Sequence, residues 1–180
     1  MEKKIMTTAS LVAPSFSAHL DEVLLSNGKV GKRIRIDHPE ASAIIPFVSE
    51  NEILMVRQYR YALGRETLEI PAGKLDPGET PEAGAERELM EETGFQAGEL
   101  QHICTYAPAI GYANELIHIF AGRSMKRVSR SIDDIEISSL EVLPIEEGRK
   151  LFRKGLILDG KTLIGLGLLG LLHWGNPSTV

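Results

Sequence analysis

The chain has 180 residues, of which 43% are hydrophobic and 6% aromatic, and it carries a formal net charge of −5. That length suits one medium domain with a proper core, without disulfides or a structural metal, and the composition is that of an ordinary globular protein. The acidic balance offers no general attraction to nucleic acid or to an anionic membrane, so an enzyme built this way on an anionic substrate needs cations at its site.

Cys104 is the single cysteine. It cannot form an internal disulfide, which suits a reducing cytoplasm, and its apolar surroundings from Ile103 to Tyr106 predict a buried, inert thiol. Lys3 and Lys4 are not followed by an apolar export segment with a small-residue cleavage site, so export is not expected. The most apolar stretch, Leu163 to Leu172, is interrupted by Gly165, Gly167 and Gly170. It falls short of the roughly 20 residues a membrane span requires and predicts a buried C-terminal helix instead.

In chain order, residues 1 to about 15 are mixed in pattern and predict a frayed end. Ala18 to Ile36 predicts two strands around Ser26-Asn27-Gly28, because Asn-Gly supplies the positive φ angles of a tight hairpin. Ala43 to Val48 and Ile53 to Val56 predict a second pair, and Thr67 to Ile70 a short strand that Pro71-Ala72-Gly73 ends. After the Asp76-Pro77-Gly78 loop a helix is expected, with Thr80 as N-cap, Pro81 in the first turn and Gly94 closing the C-terminus. Strands follow at Leu100 to Tyr106, Leu116 to Ala121 and Ser139 to Leu143, and helices at Glu146 to Lys154 and Thr162 to His173. Mixed strands with a central and a C-terminal helix predict an α/β layered domain.

The central helix carries the chemistry. Six glutamates lie between Glu79 and Glu92, and Glu88, Glu91 and Glu92 share one face at i, i+3 and i+4 spacing. Like charges at that spacing destabilise a helix by a few tenths of a kcal/mol per pair, so three on one stripe call for a reason. Bound divalent cations supply one, since Mg²⁺ prefers carboxylate oxygens; a solvated acidic face is the bland alternative. Gly84 and Ala85 leave room for a loop or ligand to come close, and Leu89 and Met90 give the helix something to bury. Arg87, four residues before Glu91 and also within reach of Glu79, is expected to hold one of these carboxylates as a structural ion pair.

Residues Gly73 to Phe95, GKLDPGETPEAGAERELMEETGF, resemble the Nudix signature at every fixed position. Gly73 is followed by five residues and Glu79, then by seven residues and Arg87-Glu88, with Leu89, Glu91-Glu92 and Gly94-Phe95 completing the pattern. Val56-Arg57-Gln58-Tyr59-Arg60, Leu68 to Gly73, the hairpin before His38-Pro39 and Leu158 to Thr162 resemble the ADP-ribose pyrophosphatase branch of that family. The resemblance implies a Nudix fold: an α/β/α sandwich with a mixed sheet in residues 43–180, plus an N-terminal antiparallel hairpin region in residues 1–42. It implies metal ligands at the Ala72 carbonyl, Glu88, Glu91 and Glu92, occupied by Mg²⁺ with Mn²⁺ as a substitute, and an Arg60 that contacts the substrate diphosphate. Arg57 is either a second contact or an exposed strand arginine, and Glu69 either assists positioning or is a plain ion pair.

The segment Pro108 to Glu115 resembles a substrate loop that often reads Ser-Pro-Gly, with Ile110 standing where proline is usual and Gly111 following. Glu115 is a candidate contact. The general base of this branch often comes from an acidic loop, here Asp133 to Glu136, with Glu136 first and Asp134 second; signature carboxylates such as Glu91 and Glu92 are the other source. His38, His102 and His118 are expected to be packing or surface residues. The implied reaction is Mg²⁺-dependent hydrolysis of a nucleoside diphosphate sugar, ADP-ribose to AMP and ribose 5-phosphate. GDP-mannose or another such sugar is the alternative. A non-catalytic ligand-sensing module is the reading from another class, although this chain keeps every signature carboxylate. Relatives in the branch are commonly homodimers, with the hairpin packed on the partner and Arg33 placed to reach across.

Overall fold

The computed structural model describes residues 1–128 and 137–172. The chain forms two compact units: Met1–Glu40 with Tyr106–Ile117, and Ala41–Thr105 with the described residues from His118 on.

The first unit is built on a three-stranded antiparallel sheet of β1 (Lys3–Val12), β2 (Ser17–Leu24) and β3 (Val30–Asp37), in that order. Gly28, at φ +79°, turns the β2–β3 hairpin as expected. The N-terminal residues are not frayed, which corrects the sequence reading. β1 pairs along the whole of β2, and Thr7 Oγ1 donates to Asp21 Oδ1 at 2.6 Å while Thr8 Oγ1 donates to the Leu20 carbonyl at 2.9 Å. Register shifts at Lys4/Met6 and Thr7/Ala9 break the alternation twice, so a strand that pairs well has no period-2 signature. Residues Tyr106–Ile117 join this unit through a parallel bridge between Ile36 and Ala113, with the Ile36 amide on the Tyr112 carbonyl at 2.7 Å.

The second unit holds a mixed seven-stranded sheet among the described residues. Its main path is β12 (Ile137–Pro144), β5 (Glu52–Arg60), β4 (Ala41–Ser49), β10 (Ile117–Arg123) and β9 (Glu99–Tyr106); β6 (Arg65–Glu69) pairs with β5, and β7 (Ala72–Lys74) with β4. β8 (Phe95–Gln96) and β11 (Lys126–Arg127) form a separate short pair. β4 is buried from Ala41 to Phe47, the apolar run expected of a strand covered on both faces.

Neighbouring residues of that strand identify the two covers, because successive side chains leave opposite faces. Ile44 packs with Ala85 and Leu89 of α1 (Pro81–Thr93) and with Phe120. Ile45 meets Gly165 of α3 (Gly160–Leu168), where an added Cβ would lie 2.8 Å from Ile45 Cδ1 and 3.1 Å from Ile119 Cγ2. The unit is therefore an α/β/α sandwich, with α2 (Ile145–Arg153) following the edge strand β12.

Two expectations about the helices change. Met90 is 46% exposed, so α1 buries Ala85 and Leu89 rather than a Leu-Met pair. α3 ends at Leu168: Gly170 takes φ +69° and the Leu171 amide returns to the Leu166 carbonyl at 2.9 Å, a glycine-terminated stop, while His173 lies outside the described residues. Among the described residues no helix is long and apolar enough to cross a membrane.

The ends of α1 behave as read from sequence. Thr80 Oγ1 accepts from the Ala83 amide at 3.3 Å, and Gly94 at φ +74° returns its amide to Met90. Replacing Thr80 with Ala is expected to cost about 1 kcal/mol of stability, measured as a lower denaturant midpoint with unchanged slope.

Candidate active site

Glu88 and Glu92 project from α1 and are 8% and 2% exposed. Both meet the short strand β7. The Ala72 amide donates to Glu92 Oε2 at 3.2 Å. A Cβ on Gly73 would lie 2.0 Å from Glu88 Oε1, so only glycine lets that carboxylate lie against the backbone. One turn earlier, Gly84 admits Leu75: a Cβ there would fall 2.3 Å from Leu75 Cδ2. The room left by Gly84 is thus taken by the loop itself.

Arg87 organises the remaining carboxylates. Its Nε and Nη2 each contact the Glu79 carboxylate at 2.9 Å, as a guanidinium fork does. Nη1 donates to Glu88 Oε1 at 2.6 Å and to Glu91 Oε2 at 3.1 Å, and Nη2 to the Lys74 carbonyl at 2.8 Å. The Asp76 amide closes the loop by donating to Glu79 Oε2 at 3.0 Å. Hydrogen bonding from Arg87 holds the Glu79 carboxyl below its ordinary value, and Glu79, the larger contributor, and Glu88 together hold Arg87 above its own. One guanidinium therefore serves three carboxylates. The structural ion pair expected of Arg87 is with Glu79, and Glu88 and Glu91 converge on its Nη1.

As placed around Arg87, no three His, Cys, Asp or Glu side chains among the described residues form a metal-ligand cluster. The donor set nonetheless suits a hard divalent cation: three carboxylates on one helix face and a backbone carbonyl at Ala72, with a glycine cradle that keeps helix and strand in contact.

A second charged group lies in the same unit. Arg60 on β5 donates from Nε and Nη2 to the two oxygens of Glu69 on β6, at 2.7 and 2.6 Å. Thr67 Oγ1 donates to Glu69 Oε1 at 2.5 Å, and the Lys161 ammonium contacts Glu69 Oε2. Burial pushes the Glu69 carboxyl up, but the Arg60 fork, the Lys161 charge and the Thr67 hydroxyl outweigh it and hold the group at about 2. Lys161 is itself buried, and it also reaches Asp159 at 3.1 Å. Sequence reasoning gave Lys161 and Asp159 no role. The available signal was Asp159 as N-cap three residues before Thr162, which places Lys161 in the first turn of a helix. Arg57, an odd number of residues from Arg60 on the same strand, leaves the opposite face and pairs with Glu141 at 2.6 Å.

Arg33, Ile110, Gly111 and Glu115 belong to the first unit. Arg33 on β3 binds Glu2 of its own chain, Nε to Oε2 at 3.1 Å. Ile110 is 85% exposed in a turn closed by the Tyr112 and Ala113 amides on the Ala109 carbonyl, and Gly111 has open space around it. Glu115 Oε1 stands 3.4 Å from His38 Nδ1. Glu136, Asp134 and Asp133 lie outside the described residues. His102 and His118 share the Thr105 hydroxyl at 3.0 and 2.9 Å, in line with the packing or surface role expected of them. Cys104 is half-buried rather than buried, and desolvation raises its thiol, which suits an inert group.

The NUDIX domain family matches residues 37–159, the span that holds α1, β7 and the Arg60–Glu69 pair. The chain belongs to the Nudix family. Among its relatives are the "methanol dehydrogenase activator" of Bacillus methanolicus, 37% identical, and the "ADP-ribose pyrophosphatase" of Bacillus subtilis (strain 168), 36% identical. Each comparison runs over 172 residues, 94% of this chain and 93% of the relative. A solved "ADP compounds hydrolase" superimposes with a TM-score of 0.78 over 93% of both chains at 24% identity, and so shares the fold. Nudix hydrolases generally use a divalent metal, which the oxygen donors of this Nudix helix suit.

Glu69 contributes to the acid stability of this unit. A carboxyl depressed from 4.5 to about 2 contributes stability that is complete above its unfolded value and disappears as pH falls through that window. Glu69→Gln is expected to unfold more easily at neutral pH. Between pH 4.5 and 2 its stability should fall less than wild type, by on the order of 3 kcal/mol. Parallel acid-dependence curves for the two proteins would remove Glu69 from this role.

Proposed function

We propose that the chain hydrolyses the diphosphate of a nucleoside diphosphate sugar, with ADP-ribose as the first candidate and AMP and ribose 5-phosphate as products. The observation that carries the reading is the packing of the Glu88 and Glu92 carboxylates against Gly73 and Ala72 of β7. The names of the relatives, one of them an ADP-ribose pyrophosphatase, support the substrate class.

In this reading Glu88, Glu91, Glu92 and the Ala72 carbonyl hold Mg²⁺, for which Mn²⁺ substitutes. A divalent ion bound there offsets charge on the phosphate oxygens and lowers the pKa of water. Arg60 binds the diphosphate, its guanidinium plane fixed by the two oxygens of Glu69. A carboxylate accepts the proton of the attacking water, Glu136 first and a signature glutamate otherwise, as oxygen adds to one phosphorus and the bridging P–O bond breaks. The bridging oxygen leaves with the other phosphate.

The reading is tested with a panel of ADP-ribose, GDP-mannose and related sugars in Mg²⁺, with phosphatase-coupled phosphate release. Turnover is expected with ADP-ribose. Glu92→Gln, which keeps an acceptor for the Ala72 amide, should lower it by on the order of a hundredfold or more while the circular dichroism spectrum is retained. No turnover of any diphosphate by the wild-type protein overturns the reading; near-normal activity of Glu92→Gln removes the metal assignment.

We further propose a homodimer formed through residues 1–42, in the reducing cytoplasm that a lone cysteine suits. The register of the first unit puts Leu11, Leu24, Val30 and Ile34, each at least 40% exposed, on one face of the β1–β2–β3 sheet together with the Glu22–Lys32 pair, while His19, Asp21, Arg35 and Asp37 occupy the other. Exposed aliphatic side chains grouped on one face support a contact with a second copy. Light scattering should give twice the chain mass, and Ile34→Lys should shift it to the monomer; a monomeric wild type at micromolar concentration removes the dimer.

A further inference from the structure

Lys161 is the most deeply buried cation named above, at 6% exposure, and the chemistry just described does not use it. A lysine removed from water costs several kcal/mol unless it is paired and hydrogen-bonded, so its partners show what it is for. Both are carboxylates. It contacts Glu69 Oε2, the oxygen that also receives Arg60 Nη2, and it lies 3.1 Å from Asp159 Oδ2. Asp159 is in turn the N-cap of α3, accepting from the Thr162 amide at 3.0 Å and from the Thr162 hydroxyl at 2.5 Å. That same hydroxyl receives the Ile70 amide at 2.9 Å. The first turn of α3 thus grips the chain at Glu69 and Ile70, two residues before Ala72, across 92 residues of sequence.

The Glu69 carboxylate is held from two sides. Thr67 and Lys161 come from the protein interior, and Arg60 approaches with its fork, 38% exposed. A carboxylate paired with Arg60 alone would move with the arginine. Anchored by a buried ammonium that is itself anchored to a helix N-cap, it becomes a fixed seat for the guanidinium plane. We propose that Lys161 is a positioning residue for the hydrolase reaction: through Glu69 it fixes the guanidinium of Arg60 for the substrate diphosphate. This rests on Arg60 contacting the diphosphate, as proposed above.

The test is a double-mutant cycle of Lys161→Met and Arg60→Met with ADP-ribose and Mg²⁺, well below the melting temperature of each variant. Lys161→Met is expected to raise KM by about tenfold, a coupling ordinary for side chains in one ion-pair network, with a smaller change in kcat. In the Arg60→Met background the same substitution should add nothing to KM. Lys161→Arg should recover most of the loss, which lost packing alone would not predict. If Lys161→Met does not fold, Lys161→Gln takes its place with the same expectations.

A second readout needs no turnover. The Nε–H resonance of Arg60, identified by its disappearance in Arg60→Lys, should shift and broaden in Lys161→Met. An unchanged Arg60 resonance overturns the proposal. So does a KM effect that persists in full without Arg60, which would make Lys161 a direct substrate contact. The failures are separable: if Arg60→Met leaves KM unchanged, Arg60 is not a diphosphate contact, and the resonance still decides whether Lys161 fixes it.

Discussion

A buried carboxylate gives up its hydration, and α1 buries two, Glu88 and Glu92, on the side that meets β7. Their partners come partly from outside the helix's own backbone: the Ala72 amide on Glu92 and the Arg87 guanidinium on Glu88. The rest of the neighbourhood keeps that meeting possible. Gly73 lacks the Cβ that would displace Glu88, Gly84 makes room for Leu75, and the fork of Arg87 on Glu79 ties the intervening loop to the helix. Beneath them Ala85 and Leu89 seat the helix on Ile44 and Phe120. Hydrophobic packing holds α1 on the sheet, and the charges set what its other side presents.

Two arginines are each locked by a glutamate, with different consequences. Arg87 spends its donors on Glu79, Glu88, Glu91 and the Lys74 carbonyl, all within its own loop and helix, so it serves the local frame. Arg60 forks onto the Glu69 carboxylate, and that carboxylate is shared with a buried lysine from the far end of the chain. The first arrangement needs only short-range sequence. The second exists only when β5, β6 and α3 have come together.

The N-terminal sheet follows another logic. One face carries the ion pairs of Asp21, Arg35 and Asp37, and the other exposed aliphatic side chains around the Glu22–Lys32 pair. Thr7 and Arg35 hold the Asp21 carboxyl at about 2, so the polar face is charged at any physiological pH.

The sequence by itself determined what depends on local chemistry. The Asn-Gly hairpin, the Thr80 and Gly94 ends of α1, the carboxylate stripe and an ion pair of Arg87 with a nearby glutamate are all short-range, set by backbone angles and helical spacing. The layered α/β class was legible too, from mixed strands with a central and a C-terminal helix, and the resemblance supplied the sandwich. Tertiary structure decided the rest. β1 pairs despite having no periodic pattern, since bulges spoil the alternation but leave the hydrogen bonds. Met90 stays at the surface, and α3 stops early at Gly170. Above all, Lys161 acquires a role only from Glu69, because an ion pair across 92 residues depends on where folding brings the two charges and not on any spacing between them.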